Sequence, residues 1–122
     1  MKILVVDDSS MVRQMIIMQL ENLKAYNIHQ AEDGGSAYRF LLENPDTTLV
    51  LLDWNMPGET GYVILKKIKD NPALKKIEVV MVTTESNNKR MIAAISAGAR
   101  DFLPKPFQPN AFQEKIAPLL EL

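Results

Sequence analysis

Three four-residue runs in this chain carry no polar side chain: Ile3-Leu4-Val5-Val6, Leu49-Val50-Leu51-Leu52 and Val79-Val80-Met81-Val82. A strand with one face in water alternates apolar and polar residues, whereas a strand covered on both faces reads as a continuous apolar run. Each run is too short for a helix. Each is followed by oxygen-bearing side chains: Asp7 and Asp8, Asp53, and Thr83 with Thr84. Strands buried on both faces belong to parallel sheets, whose crossover helices supply the cover. In open sheets of this kind ligands bind in the crevice beyond the carboxyl ends of the strands. The acids and threonines therefore fall where a ligand site is expected.

The intervening segments supply the crossovers. Ser9 or Ser10 caps a helix reaching about Lys24, with Val12, Ile16, Leu20 and Leu23 on one face. Residues 27–32 form a weaker strand of mixed polarity, expected at an edge. A turn at Asp33-Gly34-Gly35 precedes a helix opened by Ser36, which turns Ala37, Phe40 and Leu41 inward and ends at Asn44-Pro45. After Asp53, Pro57, Gly58 and Gly61 mark a loop, then a helix over about 62–70 with Leu65 and Ile68 inward, stopped by Asn71-Pro72. The fourth strand, 79–82, leads to a helix near 86–97 whose apolar stripe is Met91, Ile92 and Ile95, with Gly98 just past its end. A short fifth strand spans 101–104. Asn110 caps a last helix carrying Phe112 and Ile116, which Pro118 is expected to end or kink early. Five strands alternating with five helices predict an α/β fold, a doubly wound five-stranded parallel sheet, in one domain over residues 1–122.

Composition removes several classes of function. With 14 basic and 15 acidic residues the net charge is -1, too weak a field to favour nucleic acid or anionic lipid as a partner. The absence of cysteine excludes a thiol nucleophile and a thiolate zinc site. No stretch reaches membrane-spanning length, so a soluble cytoplasmic protein without a membrane partner is expected.

Asp7, Asp8 and Asp53 would crowd around one centre at neighbouring strand ends. Two carboxylates about 5 Å apart repel by roughly 3 kcal/mol at an effective dielectric of about 20. An acidic pair after a strand is often only a turn or a cap, but a third acid ending another buried strand has no such task beside Trp54. A hard divalent cation would relieve the repulsion, and Mg²⁺ is favoured because it takes one or two carboxylates, keeps several waters and leaves room for a phosphate oxygen. Asn55 is placed to add its backbone carbonyl. Lys105, held between Pro104 and Pro106, and Thr83 offer fixed donors toward a phosphoryl group. Such a site suits an aspartate that accepts phosphate, and Asp53 is the acid that stands alone.

The segments VVDDSSMVR, AEDGGSA, LLDWNMPGETG, VVMVTTE and AGARDFLPKPF, in that order across the whole chain, resemble the receiver domains of bacterial two-component response regulators, stand-alone chemotaxis regulators among them. The resemblance implies a flavodoxin-like sheet in the order 2-1-3-4-5. It implies Asp7 and Asp8 as metal ligands with Asp53 and Asn55, Asp53 as the phosphorylation site, Thr83 and Lys105 as phosphate contacts, and Phe102 as an aromatic switch partnered with Thr83. It places Asn55 and Glu85 where they modulate hydrolysis, and implies a cis peptide between Lys105 and Pro106. The chain departs from the family's habit in three places. Phe102 stands where chemotaxis members often carry Tyr, Thr84 where a smaller residue is usual, narrowing access to the phosphoryl group, and Thr60 where Asp is common, with only a local effect expected.

The function so implied is a Mg²⁺-dependent signalling switch, in chemotaxis or a related two-component pathway. A histidine kinase phosphorylates it, and it signals through the face of helix 4, strand 5 and helix 5. A flagellar motor switch protein is one candidate listener. A monomer is expected, and self-dephosphorylation is its only turnover. Three rivals stand beside it: a receiver excised from a larger regulator, a small aspartyl-phosphate phosphatase, and a phosphate-independent interaction module. Phosphatases of that type carry a second acid two residues after the nucleophile, where this chain has Asn55. Neither a G-x-x-x-x-G-K loop nor a G-x-G-x-x-G turn is present, which argues against nucleotide binding. His29 is expected at the surface and remote from the strand ends. Of the seven methionines, Met15, Met81 and Met91 are expected as core filler. Trp54, partly buried, would report cation binding.

Overall fold

The computed structural model of the chain describes residues 1–84 and 87–120. Along these residues run β1 (Ile3–Val6), α1 (Ser10–Asn22), β2 (Ile28–Ala31), α2 (Gly34–Glu43), β3 (Leu49–Leu52), α3 (Gly61–Asp70), β4 (Glu78–Thr83), α4 (Asn88–Ser96), β5 (Asp101–Pro104) and α5 (Pro109–Leu120). The strands form one sheet in the order β2-β1-β3-β4-β5, and every neighbouring pair is parallel. The mixed-polarity β2 lies at an edge, where a half-wet strand belongs.

Alternation along the strands divides the core in two. Leu4, Val6, Val50, Leu52, Val79 and Met81 face one way and pack with Leu41 of α2, Ile64 and Ile68 of α3 and Ala94 of α4. Ile3, Val5, Leu49, Leu51, Val80 and Val82 face the other way, against Ile16 and Leu20 of α1 and Phe112 and Ile116 of α5. Each fully buried aliphatic side chain contributes roughly 1.5–3 kcal/mol relative to exposure. A one-residue slip of any central strand would exchange the two faces, so burial fixes the register.

Side-chain caps start the helices. Ser9, Asp33, Thr60 and Asn87 each accept a hydrogen bond from the backbone N–H three residues on, opening α1, α2, α3 and α4. Asp33 does more than turn the chain: its Oδ1 accepts from Ser36 N at 2.7 Å and Ser36 Oγ at 2.8 Å, so α2 begins at Gly34 rather than Ser36. Past α4, Gly98 takes a φ of 111°, a left-handed backbone that Gly adopts without a Cβ penalty.

Five expectations change, the first at α5, which begins at Pro109, so that Asn110 lies inside the helix instead of capping it. The fourth helix begins at Asn88, capped by Asn87, and the earlier start at residue 86 lies outside the described residues. Its inner ridge is Met91, Ala94 and Ala97, while Ile92 (64 % exposed) and Ile95 (46 %) point to solvent. Met15 is not core filler either but is 52 % exposed on α1, because the inner face is occupied by Ile16 and Leu20. Pro118 does not end α5, which runs on to Leu120. Leu119 and Leu120 pack against the core, and that burial offsets the missing Pro118 N–H. No helix among the described residues is long and apolar enough to cross a membrane.

Candidate functional site

The strand ends converge because the sheet ladder continues past them. Asp7 N–H donates to Ala31 O (3.2 Å), Asp53 N–H to Val6 O (3.0 Å) and Lys105 N–H to Thr83 O (2.8 Å). The backbones carrying three of the site residues are thus extensions of the sheet, not free loops. The Lys105–Pro106 peptide is cis.

Asp7, Asp8 and Asp53 each present a carboxylate oxygen within 4.8 Å of the others. Asp7 and Asp53 are buried and Asp8 is exposed, so the cluster has a dry floor and a wet rim. Asp7 is closely held. Ser9 N–H donates to its Oδ1 at 2.9 Å, and Lys105 Nζ to its Oδ2 at 2.7 Å. The same ammonium lies 3.7 Å from Asp53 Oδ2. Asn55 N–H reaches Asp53 Oδ1 at 3.4 Å, and the Thr83 hydroxyl also hydrogen-bonds the Asp53 carboxyl.

These contacts pull the Asp53 pKa in opposing directions. Desolvation raises it above the ordinary value of 3.8, and the neighbouring Asp7 charge adds to the rise. Lys105, Thr83 and the Asn55 amide lower it, and together they do not cancel the burial. Asp53 is therefore a poorly solvated carboxylate facing two donors. It suits attack on an electrophile whose own charge those donors can stabilise.

Phe102 is buried at 1 % exposure, on the same face of the sheet as Thr83: β4 pairs Met81 with Phe102 and Thr83 with Pro104. A phenyl ring leaves no hydroxyl to satisfy there. Thr84 is exposed beside Lys105 and Met15, lining a groove of about 270 Å³. Glu85 lies outside the described residues. Thr60, at the common Asp position, opens α3 by accepting from Val63 N at 3.3 Å, the capping task an Asp would perform. His29 pairs with Leu4 near the start of β1, hydrogen-bonds Asn27 and lies 5.0 Å from the Phe40 ring, remote from the acids. Trp54 is more buried than expected, at 8 % exposure, stacked on Tyr62.

Several supporting residues escape a reading of the sequence. Arg13 donates to the Asp7 carbonyl at 2.6 Å and to Gln30 Oε1 at 2.9 Å, tying α1 to β1 and β2. Its place one turn beyond the acid pair was the available signal. Gly61 lies against the Asp53 backbone so closely that an added Cβ would come within 1.9 Å of the Asp53 carbonyl oxygen. Arg90 of α4 lies over the Trp54 ring, and nothing in its sequence surroundings announces this.

A doubly wound sheet with three acids, a threonine and a lysine at its carboxyl edge defines a class. The family model described as the response regulator receiver domain matches residues 3–117, and the chain belongs to that family. It is 38% identical over 120 residues to chemotaxis protein CheY1 of Helicobacter pylori, covering 98% of this chain and 97% of that one. To chemotaxis protein CheY-3 of Vibrio cholerae it is 37% identical over 121 residues, covering 99% and 92%. Among solved structures it superimposes on Vibrio cholerae chemotaxis protein CheY4 with a TM-score of 0.85 at 29% identity, covering 98% of each chain. A beryllofluoride-activated DrrB receiver domain gives 0.83 at 27% identity, covering 99% of this chain and 97% of the other.

Proposed function

We propose that residues 1–122 act as a single receiver unit, a phosphorylation switch. Asp53 accepts a phosphoryl group from a histidine kinase or small phosphodonor, and the face of α4, β5 and α5 passes the change to a protein target. The observation that carries this is the convergence of three carboxylates within 4.8 Å, with the Lys105 ammonium 3.7 Å from Asp53.

The donor set is all oxygen, with no thiolate or imidazole, and its exposed member leaves an ion room for water; it fits Mg²⁺. Asp7, Asp8, Asp53 and the backbone carbonyl of Asn55 would hold it. When bound, the ion supplies charge neutralisation at the carboxylates and at the transferring group. The other parts belong to the chain. One Asp53 oxygen attacks phosphorus of a phosphohistidine. The new O–P bond forms as the P–N bond breaks, and the electron pair leaves on the imidazole nitrogen. Lys105 and Thr83, already at the Asp53 carboxyl, turn to the phosphoryl oxygens. Water later cleaves the acyl phosphate, at a rate modulated by Asn55 and Glu85.

Phosphorylation draws Thr83 toward Asp53 and seats Phe102 in the space behind it. The reading is supported by the Thr83 hydroxyl, which already hydrogen-bonds the Asp53 carboxyl, and by the buried Phe102 ring, which has no hydroxyl to desolvate in moving. To move a population from 1:99 to 99:1 takes about 5.5 kcal/mol of differential stabilisation, within reach of new charge-assisted hydrogen bonds. The names of the relatives support a place in chemotaxis; acting there in the cytoplasm, the chain would have a flagellar motor switch protein as the candidate target that the family resemblance implies. Acetyl phosphate with Mg²⁺ should add one phosphate by intact mass, and none to Asp53→Asn. A phosphate that persists in Asp53→Asn overturns the assignment.

A further inference from the structure

Trp54 directly follows the phosphoacceptor, and its ring is held from two helices. Tyr62 of α3 stacks on it with centroids 5.1 Å apart and planes 8° from parallel, and the Arg90 guanidinium of α4 lies 4.9 Å from its centroid. Lys66, one turn further along α3, places Nζ 4.7 Å from the Tyr62 centroid. The row Lys66, Tyr62, Trp54, Arg90 therefore reaches from α3 across the β3–α3 loop to α4. Cations lie at both ends and electron-rich ring faces between them, the order that ring quadrupoles favour.

The backbone around the indole is tied to the Asp53 carboxyl. Asn55 N–H donates to Asp53 Oδ1, and Trp54 O accepts from Gly61 N–H at 2.8 Å. A phosphoryl group added to Asp53 changes what Asn55 donates to, and so acts on the short segment that carries Trp54. At the far end, α4 packs on the core through Met91, Ala94 and Ala97, of which Ala94 is its one fully buried residue among those described, and Ile92 and Ile95 face solvent.

We propose that Arg90 is a positioning residue for the phosphoacceptor: through the Trp54 ring it fixes the 53–55 segment to α4, giving the state of Asp53 a path to α4 separate from Thr83 and Phe102. The inference rests on Asp53 being the phosphoacceptor. Coupling between sites is reciprocal, so a ligand on α4 must alter occupancy at Asp53 by the same factor that occupancy at Asp53 alters its binding.

Beryllofluoride with Mg²⁺, added to the full chain, probes this without turnover. The amide signals of Asn55 report the site and those of Ile92 and Ile95 report α4. In wild type both sets should move. In Arg90→Ala the Asn55 signal should still move, with the beryllofluoride dissociation constant changed roughly threefold to tenfold, while the α4 response shrinks. Arg90→Lys, which keeps a cation for the ring, should recover most of it. In a Trp54→Leu background, Arg90→Ala should add nothing further. An α4 response and dissociation constant unchanged in Arg90→Ala overturn the proposal, as does an equal loss with and without Trp54. A merely structural Arg90 would lower the denaturation midpoint and leave both readouts alone. Failure of the Asn55 signal to move in wild type would instead remove the phosphoacceptor reading itself.

Discussion

At the scale of single residues, the site is built around a charge that folding disfavours. Asp53 has its pKa raised by burial, with Asp7 adding to the effect, so the folded chain binds its proton more tightly than the unfolded chain does. The stability this proton contributes is complete below 3.8 and is lost as pH rises through the folded-state value. In EDTA at pH 7, Asp53→Asn should therefore be more stable than wild type, by on the order of 1–3 kcal/mol. Urea midpoints measured down to about pH 4 should show the gap closing, and a gap independent of pH would assign it to shape instead of charge. Thr60 makes a second expectation. Removing its cap in Thr60→Ala should cost about 1 kcal/mol in urea denaturation, whereas Thr60→Asp should restore it. The acids were legible in the sequence because each follows a run of buried residues, where a charge has no bland explanation. Arg90 was not, because a cation in the first turn of a helix ordinarily lies in water, and its contact with Trp54 depends on how α4 crosses the sheet edge.

Among the elements, α3 and α4 show where periodicity suffices and where it does not. Leu65 and Ile68 were legible as inward because they share one helical face with Ile64, and all three are fully buried. In α4 the sequence offers two adjacent ridges of period three to four, and the larger residues, Ile92 and Ile95, occupy the outer one. The inner ridge passes over Phe102, and the cluster holding that ring takes the small Ala94. Pattern alone cannot register how much room a neighbouring side chain leaves. The start of α3 makes the sharpest test. Gly61→Ala would drive a Cβ into the Asp53 carbonyl, which is backbone just past β3, held by the Asp53 N–H bond to Val6 O, and cannot rotate away. A loss of about 3 kcal/mol is expected by urea denaturation, together with a weaker Mg²⁺ response of Trp54 fluorescence. A variant with wild-type values for both would show that the loop is free to shift.

For the whole molecule, the topology followed from three apolar runs and the helices between them, and the order β2-β1-β3-β4-β5 followed from the family resemblance. If the converging carboxylates bind Mg²⁺ as proposed, stability should depend on the ion. At 100 times its dissociation constant, Mg²⁺ should add about 2.7 kcal/mol, a rise of roughly 10 °C in the melting temperature for a chain of this size. Calorimetry with Mg²⁺ and with EDTA measures the difference, and Asp8→Ala, whose carboxylate is on the rim, should abolish it while the chain stays folded. Equal melting temperatures for wild type in the two buffers would remove the ion from the site.

The hydrogen bond from Lys105 to Asp7 joins residues 98 positions apart. During synthesis at about 5–20 residues per second, the lysine follows the acid out of the ribosome by roughly 5–20 s. Until β5 takes its place at the edge of the sheet, Asp7 and Asp53 have no ammonium between them. On the proposed reading, a chain whose fifth strand is not yet in place lacks the ammonium that would meet an incoming phosphoryl group, so competence to accept one should appear only after β5 has emerged and docked.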